Sequence, residues 1–345
     1  MAHILKKSFL KISTMTAIFC LLYSCAKTDE AAVRSAIQEA KFELNTNSCS
    51  SAKSILDDVG FQDDNANYIS VYASAQACVG GYTELGTMFG DNLDSLDSSN
   101  LIVSLASFTS SDETTADSVN YTALNDAITT LISNDGSASP STVARNSKFG
   151  TKKSGDLSMQ AMYLLFVQIG KHFALYGDAD RTGVKGACGN PACIFSYTTQ
   201  DAVDLVTDAN FGPLAQLGSC TAATGSEGSP LLDSPETAAD IKRRLCQGIV
   251  YFNNLLDILG NMTLPGSSSL GDVSGINTAL SALMTVASTL ETNGGAPAGK
   301  YNDGPAAGQN AISTLRDVTS QTVCEAENLE RIEKFYAIFF EAIYQ

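Results

Sequence analysis

Histidine and basic residues are scarce in this chain of 345 residues. It has two histidines, and its 21 lysines and arginines are outnumbered by 37 aspartates and glutamates, which gives a formal net charge of −16. A surface this acidic repels phosphate groups and therefore argues against nucleic acid as a partner. Alternating β-branched runs are also nearly absent, as are a phosphate-binding loop, a dinucleotide fingerprint and a Gly-x-Ser-x-Gly motif. These absences argue against a β-rich fold and leave no catalytic motif.

The amino-terminal segment has the layout of a secretory signal. Lys6, Lys7 and Lys11 precede the apolar stretch 12–23, and no acidic residue occurs before Asp29. The stretch is shorter and more polar than the roughly 20 apolar residues that a membrane-spanning helix needs. We therefore expect residues 1–24 to be removed, which leaves a chain of 321 residues with a net charge of −19.

The run Leu22-Tyr23-Ser24-Cys25 at the end of this segment resembles a bacterial lipobox. The resemblance implies that the Cys25 thiol receives a diacylglyceryl group and that the new amino terminus is acylated, and at least two acyl chains are what stable anchoring requires. Ala26 follows, and similar lipoproteins without an aspartate there are sent to the outer membrane. We expect a lipid anchor at that membrane, facing the periplasm. The alternative is an ordinary secretory leader in which Cys25 is a plain thiol.

The rest of the chain predicts an all-α protein. It is 44% hydrophobic and 17% charged, which suits a folded core rather than a disordered chain. Because its length exceeds what one compact core usually holds, we divide it into helical hairpins over 25–107, a helix with flanking loops over 108–155, and a helical bundle over 156–345. Within the second part, 134–155 is rich in Ser, Gly and Lys and is predicted to be a loop or junction.

Apolar spacing predicts helices over 28–45, 51–59 and 66–79. Within these helices a set of small and turn residues resembles a tetratricopeptide-like repeat, a family in which helix pairs stack into arrays that bind partner proteins. The alternative is a generic α-hairpin with small residues where the helices cross. The positions that carry the resemblance are Ala52, Leu56, Val59, Tyr72, Ala75, Gly80, Gly81 and Tyr82.

Seven cysteines remain after Cys20 and Cys25 are set aside, and an exported protein pairs them as disulfides. If 50–59 and 66–79 are antiparallel, Cys49 and Cys78 are equidistant from the turn, so we predict that they pair. Cys188 and Cys193 close a Gly-Asn-Pro-Ala turn and favour a local bridge. The alternative exchanges partners among Cys193, Cys220 and Cys246, and the partner of Cys324 stays open.

The helices predicted in the bundle include 156–176, capped by Ser154; 199–217; 234–260; 272–292; 311–318; and 321–344. The run Ala161-Met-Tyr-Leu-Leu-Phe-Val-Gln-Ile-Gly170 is apolar almost all round, so the helix that contains it belongs at the bundle centre.

Candidate chemistry is sparse. His172 is the histidine that remains after the leader is removed, and we interpret it as structural or surface-exposed rather than catalytic because no nucleophile motif accompanies it. Asp178, Asp180 and Thr182 resemble the first half of a calcium loop, but Gly189 stands where the bidentate glutamate should be, which favours a plain acidic turn. We expect no cofactor. The predicted function is a non-catalytic binding or scaffold lipoprotein for a partner protein or peptide; the alternative is a small-ligand carrier or transporter-accessory protein with a pocket beside 156–176.

Overall fold

The computed structural model describes residues 30–82, 118–135, 137–176, 238–261 and 311–336, together with 278, 281, 282 and 285. All regular structure in these ranges is helical, and no strand occurs in them, which confirms the all-α prediction. We number the described helices in chain order: α1 (30–45), α2 (Cys49–Asp58), α3 (Ala66–Val79), α4 (Val119–Ile132), α5 (Thr142–Phe149), α6 (Thr151–Tyr176), α7 (Ala238–Asn261), α8 (Ala311–Leu315), α9 (Gln321–Ala326) and α10 (Leu329–Phe335).

A small core, which we call the hairpin core, joins α1, α2 and α3. Val33, Ile37 and Ala40 of α1 meet Leu56 of α2 and Ala75 of α3, and all five are buried. The Tyr68 hydroxyl adds a buried hydrogen bond of 2.9 Å to the carbonyl of Leu56. The alanines let the helix backbones approach closely, so three short helices can cover one another.

A larger core, the bundle core, joins α3, α4, α6 and α7 with the carboxyl-terminal helices. Its centre is α6, where every residue from 160 to 172 is buried, as the all-round apolar run predicts. Helix α3 belongs to both cores: Ile69, Ala73 and Ala77 face the bundle, while Tyr68 and Ala75 face the hairpin. The hairpin core and the bundle core therefore share helix α3.

Polar side chains also join α3 to its neighbours α6 and α4. Gln160 of α6 exchanges hydrogen bonds with Ser70 of α3, accepting from the hydroxyl at 3.0 Å and donating to the carbonyl at 3.1 Å. Its amide also donates to the Ser74 hydroxyl, and Thr130 of α4 donates to Gln76 at 2.8 Å. The boundaries 25–107, 108–155 and 156–345 remain a prediction.

The prediction that 134–155 is a loop or junction is wrong, because much of this segment is helical. It contains a 3₁₀ turn (Ser133–Asp135), the whole of α5 and the first turn of α6. Ser141 caps α5 by accepting a hydrogen bond from the amide of Ala144. The helix forms because one face docks on α7, where Asp257 accepts two bonds from Thr142 at 2.7 and 2.8 Å and pairs with the buried Arg145 at 3.7 Å. The two residues that α5 buries, Thr142 and Arg145, are themselves polar, so apolar spacing does not reveal this helix.

Two helix boundaries also differ from the prediction. Helix α6 begins at Thr151, so Ser154 lies inside it, and its hydroxyl is buried without a hydrogen-bond partner. The predicted helix 321–344 is interrupted near Asn328, whose side chain accepts a hydrogen bond of 2.7 Å from the amide of Arg331 and so starts α10. Asparagine competes for backbone partners in this way, which favours a new helix start over continuation.

Two disulfides occur in the described part of the chain. Cys49 is bonded to Cys78, the pair expected from the hairpin geometry, and this bridge ties the start of α2 to the end of α3. Cys246 is bonded to Cys324, which ties α7 to α9 across 78 positions of sequence. The alternative in which Cys246 exchanges partners with Cys193 or Cys220 is therefore wrong, because the packing of α9 against α7 brings Cys324 to Cys246 instead.

Candidate functional site

An open groove of about 900 Å³ lies between α1, the turn that joins α2 to α3, and the first turn of α6. We call it the hairpin groove. Its apolar floor contains Val33, Ile37 and Val59, and its rim is polar and charged. The remaining lining residues are Glu30, Ala32, Arg34, Asp58, Gln62, Asp64, Asn65, Asn67 and Lys153.

The turn beside the groove is held rigidly. Gly60 has a φ of +74°, a left-handed conformation that glycine adopts without strain and that ends α2. The Gln62 amide donates to the carbonyls of Val59 and Gly60 at 3.2 and 3.0 Å. Asn65 then caps α3, its side-chain oxygen accepting from the amides of Asn67 and Tyr68. These hydrogen bonds within the turn favour this conformation.

This rigid turn presents an aromatic side chain to solvent. Phe61 is 49% exposed, and its ring meets Tyr68 and Tyr72 edge-on at centroid distances of 5.8 and 5.5 Å. The two tyrosines stack on each other at 5.6 Å. Phe61 thus packs on Tyr68 and Tyr72 on one side and is open to solvent on the other, while its near neighbours in sequence, Val59 and Gln62, line the groove. Aromatic side chains are enriched in the cores of protein interfaces.

A polar chain supports the aromatic cluster. Tyr72 donates a hydrogen bond of 2.7 Å to Asp57, Lys53 donates to the same carboxylate at 2.8 Å, and the Lys53 ammonium lies 5.4 Å from the centroid of the Tyr72 ring. Partial burial acts to raise the pKa of Asp57, but the hydrogen bonds from Lys53 and Tyr72 outweigh it and lower this pKa below its ordinary value. Asp57 therefore stays ionised, and Tyr72 stays oriented, down to acidic pH.

His172 lies elsewhere, in the centre of the bundle. It is 1% exposed, with Nδ1 3.2 Å from the Tyr121 hydroxyl and Nε2 3.3 Å from the Tyr336 hydroxyl. Because Tyr336 donates its single hydrogen to the carbonyl of Leu245 at 2.6 Å, its oxygen accepts from Nε2, and Tyr121 donates to Nδ1. The imidazole is therefore the neutral Nε2–H tautomer.

His172 is thus buried rather than surface-exposed. Burial, assisted by the nearby Arg244 guanidinium, lowers the pKa of His172 to about 3. Both ring nitrogens lie within hydrogen-bond distance of core tyrosines, a setting that suits a structural role. Among the described residues no group of three or more His, Cys, Asp or Glu side chains could hold a metal ion.

Three cavities among the described residues lie away from the core of α6, beside which the sequence suggested a pocket. Of the residues of α6, only Lys153 lines any of them, at the edge of the hairpin groove. The helix instead packs its side chains against neighbouring helices, with Leu164 and Phe166 wholly buried. None of the described helices is both long and apolar enough to cross a bilayer.

Several residues named from the sequence fall outside the described ranges: the anchor Cys25, the cysteines Cys188, Cys193 and Cys220, and the calcium candidates Asp178, Asp180 and Thr182. No protein-family model matches the chain, and no curated protein and no solved structure matches it either. The residues that sequence reasoning missed are Phe61 and Gln62. The signal for them was a lone aromatic in the polar turn Gly60-Phe-Gln-Asp-Asp64.

Proposed function

We propose that this chain is a lipid-anchored, non-catalytic protein of the bacterial cell envelope that holds a segment of a partner protein in the hairpin groove. The observation that carries the proposal is Phe61, an exposed aromatic packed on Tyr68 and Tyr72 in the turn whose residues Val59 and Gln62 line a groove of about 900 Å³. An isolated exposed apolar residue is ordinary. One that lies on a rigid turn beside a large groove suits recognition, because binding then orders few additional side chains.

The lining of the groove favours a basic, partly apolar segment. Val33, Ile37 and Val59 form an apolar floor. A floor of three side chains suits one or two apolar side chains of an extended peptide. The rim has three acids and two bases, and the whole chain has a net charge of −16. A basic segment is therefore attracted over long range and held at short range, while an acidic one is repelled.

The anchor supports a site near the membrane surface. If Cys25 bears the lipid, as the lipobox resemblance implies, four residues separate it from Glu30 at the rim of the groove. The five steps from Cys25 to Glu30 span at most about 17 Å even when fully extended. The groove would then lie close to the headgroups, and its partner would be a membrane protein or another protein held at that surface. The likeness of α1–α3 to tetratricopeptide-like hairpins supports the same class of function.

Site-specific photo-crosslinking in intact cells tests this proposal. A photoreactive phenylalanine analogue replaces Phe61 in one strain, Val119 in a second and Val143 in a third; the two valines are exposed apolar residues that do not line the groove. We expect a discrete crosslinked protein at position 61 and none of that mass at 119 or 143. The change Arg34→Ala should leave the crosslink in place, and Asp58→Arg should weaken it by reversing charge in the groove.

Equal crosslinking at all three positions, or none at position 61 in folded and correctly localised protein, contradicts the proposal. Circular dichroism of each purified variant separates this outcome from misfolding.

A further inference from the structure

The two disulfides of the described structure lie in different surroundings. Cys246 and Cys324 are wholly buried in the bundle core. In the other pair, Cys78 is 6% exposed and Cys49, the first residue of α2, is only half-buried. Thiol–disulfide exchange requires that an incoming thiolate reach one of the two sulfur atoms. The Cys49–Cys78 bridge therefore offers a reductant an approach that the bundle bridge does not.

The half-buried bridge lies where the three hairpin helices meet. It joins the start of α2 to the last turn of α3. The Cys49 sulfur lies 3.5 Å from the carbonyl oxygen of Asn47, and the Cys78 sulfur lies 3.9 Å from the side-chain oxygen of the same residue. Asn47 belongs to the turn that follows α1. The bridge is thus in contact with the end of α1 as well as with α2 and α3.

Noncovalent contacts hold α2 to α3 at the opposite end of this helix pair. There Tyr68 donates a hydrogen bond to a backbone carbonyl of α2, and Tyr72 donates one to Asp57. At the bridge end, Ser48 precedes α2 without a side-chain cap, and Asn47 has a φ of +61°, which is uncommon for a residue other than glycine. The start of α2 therefore depends on the bridge more than its end does.

The positions of the two cysteines on their helices favour the reduced form. The first turn of α2 has no acidic residue, and the backbone N–H groups and dipole of a helix N-terminus stabilise a thiolate such as that of reduced Cys49. Cys78 lies in the last turn of α3, where the dipole disfavours a thiolate. A disulfide whose reduced form is stabilised is reduced more readily.

We propose that Cys49–Cys78 is a redox-sensitive clasp, which a dithiol opens while Cys246–Cys324 stays intact, and that its opening loosens α1 and the start of α2 but not the bundle. One thiolate of the dithiol attacks the Cys49 sulfur and forms a mixed disulfide. The electron pair of the broken bond goes to the Cys78 sulfur, which takes a proton from water. The second thiol of the dithiol loses its proton, attacks the dithiol's first sulfur and displaces Cys49 as a thiolate. The dithiol is thereby oxidised to a disulfide, and the protein pair is reduced by two electrons.

Opening the clasp acts on the hairpin core. Ala52, one turn after Cys49, is wholly buried there, so apolar contacts keep the helices together while the helix ends at the bridge loosen. Local opening of this kind is confined to a cooperative unit of the structure. Because α1 supplies Val33 and Ile37 to the hairpin groove, the clasp would also control how firmly that groove holds its partner. This last consequence alone rests on the proposed function.

Differential alkylation of the whole purified chain tests the first half of the proposal. Oxidised protein is treated with dithiothreitol at neutral pH without denaturant, alkylated with iodoacetamide at successive times, and digested for peptide mass spectrometry. We expect Cys49 and Cys78 to become alkylated at least about tenfold faster than Cys246 and Cys324, because exchange depends on access. In urea above the unfolding midpoint this difference should vanish. Equal rates in the folded protein, or faster reduction of the bundle bridge, overturn the proposal.

Hydrogen–deuterium exchange tests the second half, at a time when only the clasp is reduced. The amides of α1 and of 46–53 should exchange at least about tenfold faster than in oxidised protein, whereas those of α6 and α7 keep their protection. The double variant Cys49→Ala with Cys78→Ala should show the faster exchange before dithiothreitol is added. Adding the reductant to this variant should cause no further change in α1.

Unchanged exchange in α1 after reduction of the clasp overturns the proposal. So does a response of α1 to dithiothreitol in the double variant, because a different pair of thiols would then carry the effect. Neither measurement involves the partner of the hairpin groove, so a negative crosslinking result at Phe61 contradicts the proposed function without bearing on the clasp.

Discussion

Gly248 makes room for the central polar contact of the bundle. A Cβ at this position would lie 2.2 Å from the Tyr336 hydroxyl and 2.5 Å from the His172 Nε2. Both groups are buried and hydrogen-bonded, so neither can move aside without losing a partner. In the middle of a long helix, glycine is otherwise unfavourable by roughly 0.5–1 kcal/mol relative to alanine. The close approach therefore outweighs helix propensity here.

We predict that Gly248→Ala destabilises the protein by roughly 1–3 kcal/mol, because the added methyl group overpacks the core. Gly260→Ala is the matched control in the same helix, since nothing lies within 4 Å of its added Cβ. It should be neutral or stabilise by a few tenths of a kcal/mol. Urea unfolding of both variants measures the difference. Equal midpoints would show that position 248 is not tightly packed.

His172 gives the protein a pH-dependent stability. Burial lowers the pKa of the folded imidazole to about 3, with Arg244 assisting, from an unfolded value of 6.5. Between these values the unfolded state binds a proton that the folded state does not. The contribution is fully present above pH 6.5 and is lost as pH falls toward 3, with a slope of up to about 1.4 kcal/mol per pH unit.

The variant His172→Gln should reduce this slope by one proton between pH 6 and 4, as measured by urea unfolding at several pH values. Carboxylates titrate in the same range in both proteins, so the difference between the two curves is what isolates the histidine. Parallel curves would mean that His172 is solvated in the folded state.

At the scale of the elements, the docking of α5 on α7 depends on one carboxylate. Asp257 is the partner of Arg145, which is wholly buried, and of both the amide and hydroxyl of Thr142. Asp257→Ala should cost roughly 3–5 kcal/mol, because it removes the anion from a buried guanidinium. The control Asp156→Ala breaks an exposed pair with Lys152 and should cost less than about 1 kcal/mol. Comparable losses would contradict the buried role.

The two disulfides should contribute unequally. Cys49–Cys78 closes a loop with a sequence separation of 29, and Cys246–Cys324 one of 78. Chain entropy alone gives about 3.6 and about 4.5 kcal/mol for these loops. Replacing Cys246 and Cys324 together by alanine should therefore destabilise more than the same change at 49 and 78. Urea unfolding under non-reducing conditions measures both, and the reverse order would show that native-state strain outweighs loop entropy.

These elements show how far the sequence could predict the fold. Helices with a one-sided apolar face, such as α1 and α2, could be placed from spacing alone, and the Cys49–Cys78 pair followed from hairpin symmetry. Helix α5 could not, because its stability comes from Asp257, a residue 115 positions away from Thr142. The break before α10 depends on a single cap by Asn328. Neither signal appears in local hydrophobic periodicity.

At the scale of the whole molecule, α3 takes part in both the hairpin core and the bundle core. From the sequence, Val33 and Ile37 could be predicted as core positions on one face of α1, but not as the floor of a groove. The packing of Phe61 on Tyr68 and Tyr72 required coordinates, because contacts between side chains are tertiary properties. Composition did predict the acidic net charge.

The amino terminus of the protein purified from membranes provides the most direct test of the central claim, that the molecule is tethered at Cys25. Intact-mass and peptide mass spectrometry should find a chain that begins at Cys25, with a thioether-linked diacylglyceryl group and an acylated amine. In the variant Cys25→Ser the protein should leave the membrane fraction. An intact amino terminus beginning at Met1, or a Cys25 without lipid in membrane-associated protein, would contradict the account.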